Sequence, residues 1–199
     1  SMALTESVQL QRPDESVVLT KEQAVMEAAR LGMPVAMKVI GPIHKTEVGG
    51  VVININSLEQ VRNEFTKLMK INDAKAVLIQ RMVKGIELFI GAKREGAFGH
   101  LILFGIGGIF IEVLKDFRAE LTPISLEDAM GMIKKIKSYN ILKGYRGMKG
   151  VNEMQLAYAI MKVSALLEIA PEIYELDINP LIATDNKTYA VDIRINIDK

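Results

Sequence analysis

The chain contains no cysteine, which excludes a disulfide framework, a thiolate metal centre and a thiol nucleophile. It has only two histidines, His44 and His100, so imidazole chemistry is confined to two positions. An excess of one charge is also missing: 25 Lys and Arg face 24 Asp and Glu, a formal net charge of +1. That balance argues against bulk electrostatic attraction to nucleic acid or to an anionic membrane. The apolar runs are too short and too often interrupted to span a bilayer. Residues 1–13 are polar and carry no secretory pattern, so a cytoplasmic location is expected. No internal repeat and no low-complexity stretch occurs.

What is present is ordinary globular composition, 199 residues with 49% apolar and 25% charged. That suits one domain or two small lobes with a sizeable core. Thr20 caps a predicted helix over Lys21–Leu31, Gln23 completes a capping box, and Gly32 and Pro34 end it. Ser57 caps a second over 58–69, with Val61, Phe65, Leu68 and Met69 on one face. Strands are expected at Val35–Ile40, Val51–Ile55 and 76–80. Up to Gln80 the order therefore reads β-α-β-β-α-β, with residues 1–15 a loose arm holding a short first strand near 7–10. Further strands are expected at 86–92, 101–105 and 109–113, and helices over 126–139 after Ser125 and 153–168 after Asn152. A β-hairpin of 173–178 and 189–193, turning at Asp185 and Asn186, closes the chain.

The stretch 34–54, PVAMKVIGPIHKTEVGGVVIN, holds the first chemistry. Lys38 interrupts an apolar strand, and a buried ammonium needs a negative partner. A bound phosphate would satisfy it, and the following loop offers backbone N–H groups, Lys45 and the imidazole of His44 to the same anion. Taken alone, Lys38 could instead snorkel to solvent, and His44 could be structural. Beside Lys45 and ahead of Gly49 and Gly50, His44 reads as a nucleophile towards phosphorus. His100, at a strand start, reads as structural.

In the closing hairpin, Glu175, Asp177 and Asn179 alternate onto one strand face, with Leu176 and Ile178 on the other. Asp192, on the returning strand, can lie beside them. Oxygen ligands without sulfur or imidazole suit magnesium. The simpler reading is a solvated acidic face; the asparagine before Pro180 and the acid across the turn favour a metal. Gln80 to Glu87 joins the two expected lobes of the chain, and such a linker can offer main-chain groups to a flat base and an acid to sugar hydroxyls. Gly105-Ile106-Gly107-Gly108 is a tight turn and not a dinucleotide fingerprint, because strand and not helix follows. Glu112, in the apolar run after it, needs a buried partner or a metal.

Taken together, HKTEVGGV, QRMVKGIELFIGAKREGAFG, LFGIGGIFIE, the GYRG loop and ELDINPLI with AVDIRI occur in order over nearly the whole chain. They resemble the ATP-grasp domain of the NDP-forming acyl-CoA synthetases, the group of ADP-forming acetate–CoA ligase and, more distantly, of succinyl-CoA synthetase β chains. The resemblance implies an α+β ATP-grasp fold of two α/β lobes, 16–81 and 82–199, with a nucleotide cleft between them. It implies ATP/ADP and Mg2+ as cofactors. Lys38 then holds nucleotide phosphates, Gln80, Met82 and Val83 meet the base, and Glu87 meets the ribose. Asn179 and Asp192 match magnesium ligands, with Asp177 and Glu175 as second candidates. His44 matches the histidine that is transiently phosphorylated between the ligase half and ADP, with Lys45 beside it. The implied partners are the CoA-binding and ligase domains, or an α subunit, of the same synthetase.

The family usually has Asp and Pro where this chain has Glu95 and His100, which implies a local change only. The family's CoA-binding and ligase domains are missing, so the chain is expected to be a β-type subunit or an excised domain. The alternative reading is a catalytically silent ligand-binding or regulatory module of a fused protein acetyltransferase.

Overall fold

The computed structural model describes residues 8–42, 48–108, 115–144, 147 and 149–198. The chain divides into two compact units: Pro13–Val83, and Lys84–Lys199 together with Ser1–Arg12. His44, Lys45, Glu112 and the central pair of the GYRG loop lie outside the described residues, as does the strand expected at 109–113.

The smaller unit contains β1 (Glu15–Val18), α1 (Lys21–Leu31), β2 (Val35–Ile40), β3 (Val51–Ile55), α2 (Leu58–Leu68) and β4 (Ala76–Arg81). The four strands form an antiparallel sheet in the order β1-β4-β2-β3. Both helices start at side-chain caps read from the sequence, Thr20 accepting from the Gln23 N–H and Ser57 from the Gln60 N–H. Strand alternation turns Val35, Met37, Val39, Val77, Ile79 and Val18 towards Ala24, Ala28, Val61, Phe65 and Leu68. Burying a side chain the size of Phe65 or Leu68 is worth about 1.5–3 kcal/mol. The intervening residues, among them Glu15, Lys38 and Gln80, therefore occupy the opposite face of the sheet.

The larger unit contains β5 (Ile86–Arg94), β6 (His100–Ile106), β7 (Phe117–Leu121), α3 (Leu126–Lys135), α4 (Tyr139–Leu142), α5 (Glu153–Ile169), β8 (Ile173–Ala183), β9 (Thr188–Ala190) and β10 (Ile193–Ile197). Its sheet runs β10-β8-β5-β6-β7, with β9 also pairing β8. Leu88, Ile90, Ile102, Phe104, Leu176 and Ile178 pack with Leu156, Ile160, Val163 and Leu167 of α5 in one core. None of the helices among the described residues is long and apolar enough to cross a membrane.

Three expectations are corrected. The first strand lies at Glu15–Val18 and not near 7–10. Residues 8–12 are anchored in the larger unit: Leu10 is buried in its core, the Lys162 ammonium donates to the Gln9 carbonyl, and the Ala190 N–H donates to the Gln11 carbonyl. The helix expected over 126–139 stops at Lys135, because the Asp116 carboxylate accepts the N–H groups of Lys137 and Ser138, each at 2.7 Å. Those donors are lost to the helix, which restarts as the short α4. β7 went unanticipated because its sequence, FRAEL, is mostly exposed at the sheet edge and lacks an apolar period.

Candidate functional site

Lys38 sits in β2 and is only 8% exposed. Its Nζ donates to Gln80 Oε1 at 3.0 Å, and Gln80 Nε2 donates to Glu15 Oε2 at 2.7 Å. Gln80 is directly opposite both Glu15 and Ala36, so Lys38, two residues beyond Ala36, is its diagonal neighbour. The Gln80 side chain thus bridges a cation and an acid. The linker that follows is tied down before it leaves the smaller unit. Arg81 N–H donates to the Asp14 carbonyl at 2.9 Å and Met82 N–H to the Pro34 carbonyl at 3.2 Å, while Met82 Sδ accepts from the Asn54 N–H at 3.1 Å. Val83, the third residue matched to the base, is half-buried and ends that unit.

In the larger unit the glycine turn after β6 is held between two candidate residues. Gly107 N–H donates to the carbonyl of Glu87 at 2.9 Å, and a Cβ on Gly107 would come within 2.4 Å of the Leu88 carbonyl oxygen. No larger residue fits there. Gly108, at φ +71, donates its N–H to Asn179 Oδ1 at 3.3 Å, and a Cβ on it would meet the Glu87 carboxylate at 2.6 Å. Glu87 itself is exposed on β5.

The closing hairpin keeps its expected alternation but not its expected second strand: β9 ends at Ala190, Val191 and Asp192 lie outside any strand, and β10 begins at Ile193. Leu176 and Ile178 enter the core, which leaves Glu175, Asp177 and Asn179 on the other face. Asn179 N–H donates to the Asp192 carbonyl at 3.1 Å, which makes these two residues direct neighbours across the hairpin. Asp177 is opposite Arg194 and Glu175 is opposite Asn196. Arg194 Nε lies 3.6 Å from Asp192 Oδ2, and Asn196 Nδ2 donates to Glu175 Oε2 at 3.0 Å. Burial pushes the Asp177 carboxyl above its usual range; Arg194 opposes this, and Asp192 and Glu175 reinforce it.

Among the described residues no three carboxylates or imidazoles converge on one point. The oxygen pair Asn179 and Asp192 still fits magnesium, which commonly keeps water and phosphate oxygens in most of its positions. Lys38 and Gln80 belong to the smaller unit, and Asn179 and Asp192 to the larger. His100 is structural, as its position suggests: it is buried, with Nε2 2.6 Å from the Ile173 carbonyl oxygen. Sequence reading missed Glu15, assigned to a loose arm, and Arg194. Arg194 lies in β10, just past the strand expected at 189–193, and Asp192 precedes β10 by one residue.

Comparison with known proteins places the chain as a whole. Residues 1–197 match the family model of the ATP-grasp domain. The chain is 42% identical over 193 residues to the beta subunit of acetate–CoA ligase [ADP-forming] I of Pyrococcus furiosus, covering 92% of this chain and 83% of that subunit. It is 40% identical over 179 residues to acetate–CoA ligase [ADP-forming] II of Archaeoglobus fulgidus, covering 88% of this chain but only 26% of that longer protein. Among solved structures, acetyl-coenzyme A synthetase 1 of Ca. Korarchaeum cryptofilum, in complex with coenzyme A and Ca-AMPCP, superposes with a TM-score of 0.90 at 32% identity, over 99% of this chain and 90% of that one. The same synthetase with coenzyme A and Mg-AMPPCP, its phosphohistidine segment pointing towards the nucleotide binding site, gives a TM-score of 0.83 at 32% identity, over 97% of this chain and 88% of that one.

Proposed function

The chain belongs to the ATP-grasp domain family of the ADP-forming acetate–CoA ligases, and from that premise we propose that it carries the phosphohistidine-to-nucleotide step of such a synthetase. The whole reaction is acyl-CoA + ADP + phosphate ⇌ acid + CoA + ATP. In the step assigned here the N–P bond of phosphorylated His44 breaks, a new O–P bond forms on the terminal phosphate of ADP, and the released imidazole takes up one proton.

Phosphoryl transfer asks a protein chiefly for positioning and for neutralisation of the charge on the transferring group. Lys38 supplies a cation that its strand holds in place, and Lys45, next to His44, supplies a second. Asn179 and Asp192 would hold Mg2+, which supplies further charge neutralisation when bound. Val83 presents main-chain groups to the base, since Met82 spends its N–H on Pro34, and Glu87 accepts from the ribose hydroxyls. The CoA-binding and ligase functions reside on other domains or on a partner subunit, in keeping with the 26% of the longer relative that this chain spans.

The observation that carries this reading is the pairing of Asn179 with Asp192: two positions far apart in the matched motifs become neighbours across a hairpin. Incubation with γ-labelled ATP, magnesium and the ligase half tests it. Acid-labile label on the wild type and none on His44→Ala is the expected result. Absence of label from both would instead favour the silent ligand-binding module.

A further inference from the structure

We propose that Glu15 is a positioning residue for Lys38, acting through the side-chain amide of Gln80; the proposal rests on the reading of Lys38 as a phosphate-binding cation. Three strands contribute, Glu15 from β1, Gln80 from β4 and Lys38 from β2. Gln80 is 2% exposed and Lys38 is 8% exposed, so the amide between them depends on protein groups for its hydrogen bonds.

The chemistry of the three groups allows one arrangement. An ammonium only donates and an ionised carboxylate only accepts. Gln80 must therefore turn Oε1 towards Lys38 and Nε2 towards Glu15, and the 3.0 and 2.7 Å contacts have that sense. Rotating the amide by half a turn would set NH2 against the ammonium and a carbonyl oxygen against the carboxylate, two repulsions in place of two bonds. Glu15 thus determines which end of Gln80 meets Lys38, and its charge polarises the amide so that Oε1 becomes a better acceptor.

The consequence is a lysine whose Nζ is held at one place before any nucleotide arrives, which lowers the cost of ordering it on binding. It also gives Gln80 a second duty beside the base contact its motif implies: its side chain serves the cation. Because Glu15 is half-buried at the start of an edge strand, a conservative change there leaves the helix-facing core untouched.

Two measurements on the whole chain test this. In protein carrying 13C-labelled lysine, the Lys38 side-chain signal is assigned by its loss in Lys38→Met. Glu15→Gln, which can present either end of its own amide to Gln80, should displace that signal without nucleotide present. Glu15→Asp, which keeps an acceptor, should return it towards the wild-type position and also guards against a folding defect in the first variant. A Lys38 signal unmoved by Glu15→Gln overturns the proposal. Calorimetric titration with Mg-ADP forms the second arm. Glu15→Gln should weaken binding about tenfold in the wild-type background, and less than about twofold when Lys38 is already Met. An equal loss in both backgrounds overturns the proposal, since Glu15 would then act on the fold and not on the lysine. Wild-type affinity in Lys38→Met would sink the phosphate reading alone, and the lysine signal would still decide whether Glu15 positions it.

Discussion

The two units bury polar groups for different ends. In the smaller unit a lysine and a glutamine are enclosed, and they point at each other and at an acid: Lys38, Gln80, Glu15. In the larger unit the buried histidine and aspartate point at main chain. His100 meets the Ile173 carbonyl, and Asp116 accepts two N–H groups at the break between α3 and α4. A group satisfied by backbone holds the chain together and has little left for a ligand. Side chains joined in a row across a sheet face leave an orientable charge. The difference teaches that burial does not by itself mark a functional residue; the identity of the partner does. The larger unit's own candidates, Asn179, Asp192, Asp177 and Glu175, are half-buried or exposed, where water and phosphate can reach them.

The comparison breaks most readily at Lys38. Replacing it by methionine should lower Mg-ADP affinity about a hundredfold, close to 2.7 kcal/mol, in a calorimetric titration. The same change should move the thermal midpoint by no more than about 4 °C, because an apolar side chain of similar length fills the buried site and the donor to Gln80 Oε1 is what is lost. If Lys38→Met unfolded the protein as readily as a change at Asp116, the two units would not differ as described.

Asp116→Asn is the matching change in the larger unit, and its cost should fall on stability: about 2 kcal/mol in denaturant unfolding, with Mg-ADP affinity within about twofold of wild type. Its pH dependence sharpens the point. Burial pushes the Asp116 carboxyl up, but the Ser138 hydroxyl, the N–H groups of Lys137 and Ser138, and Arg118 outweigh it and hold it below the usual range. A depressed folded pKa means the contribution is fully present above the ordinary aspartate pKa of about 4 and is lost as pH falls through the folded value. The gap in stability between wild type and Asp116→Asn should therefore close below about pH 4.

Asp192→Asn should raise the magnesium concentration needed for half-maximal ADP binding about tenfold. Its binding of ADP in the presence of chelator should not change. A loss of equal size with chelator would assign Asp192 to the nucleotide itself or to the fold. At the small end, Lys149→Ala removes an exposed pair with Asp185 at 2.9 Å, and neither melting nor binding should respond measurably, as is usual for solvated pairs.

Much of this protein is written in short stretches of its sequence. Thr20, Ser57, Ser125 and Asn152 each accept the N–H three residues on, and each was legible as a cap before any coordinate was known. The alternation of Glu175, Asp177 and Asn179 against Leu176 and Ile178 was equally plain. Such signals are local, because a cap or a strand period is satisfied within a few residues.

Tertiary structure alone decided the partners. Glu15 reaches Gln80 across 65 positions, Lys38 reaches it across 42, and Asp116 stops a helix 21 residues away. Nothing in the neighbourhood of Glu15 distinguishes it from an ordinary surface acid, and nothing near Ile136 announces an end to the helix. Hydrogen bonds between distant residues depend on which strands pair and in what register. That choice is made by the whole core at once, since each strand settles where its apolar face is buried and its polar groups find partners.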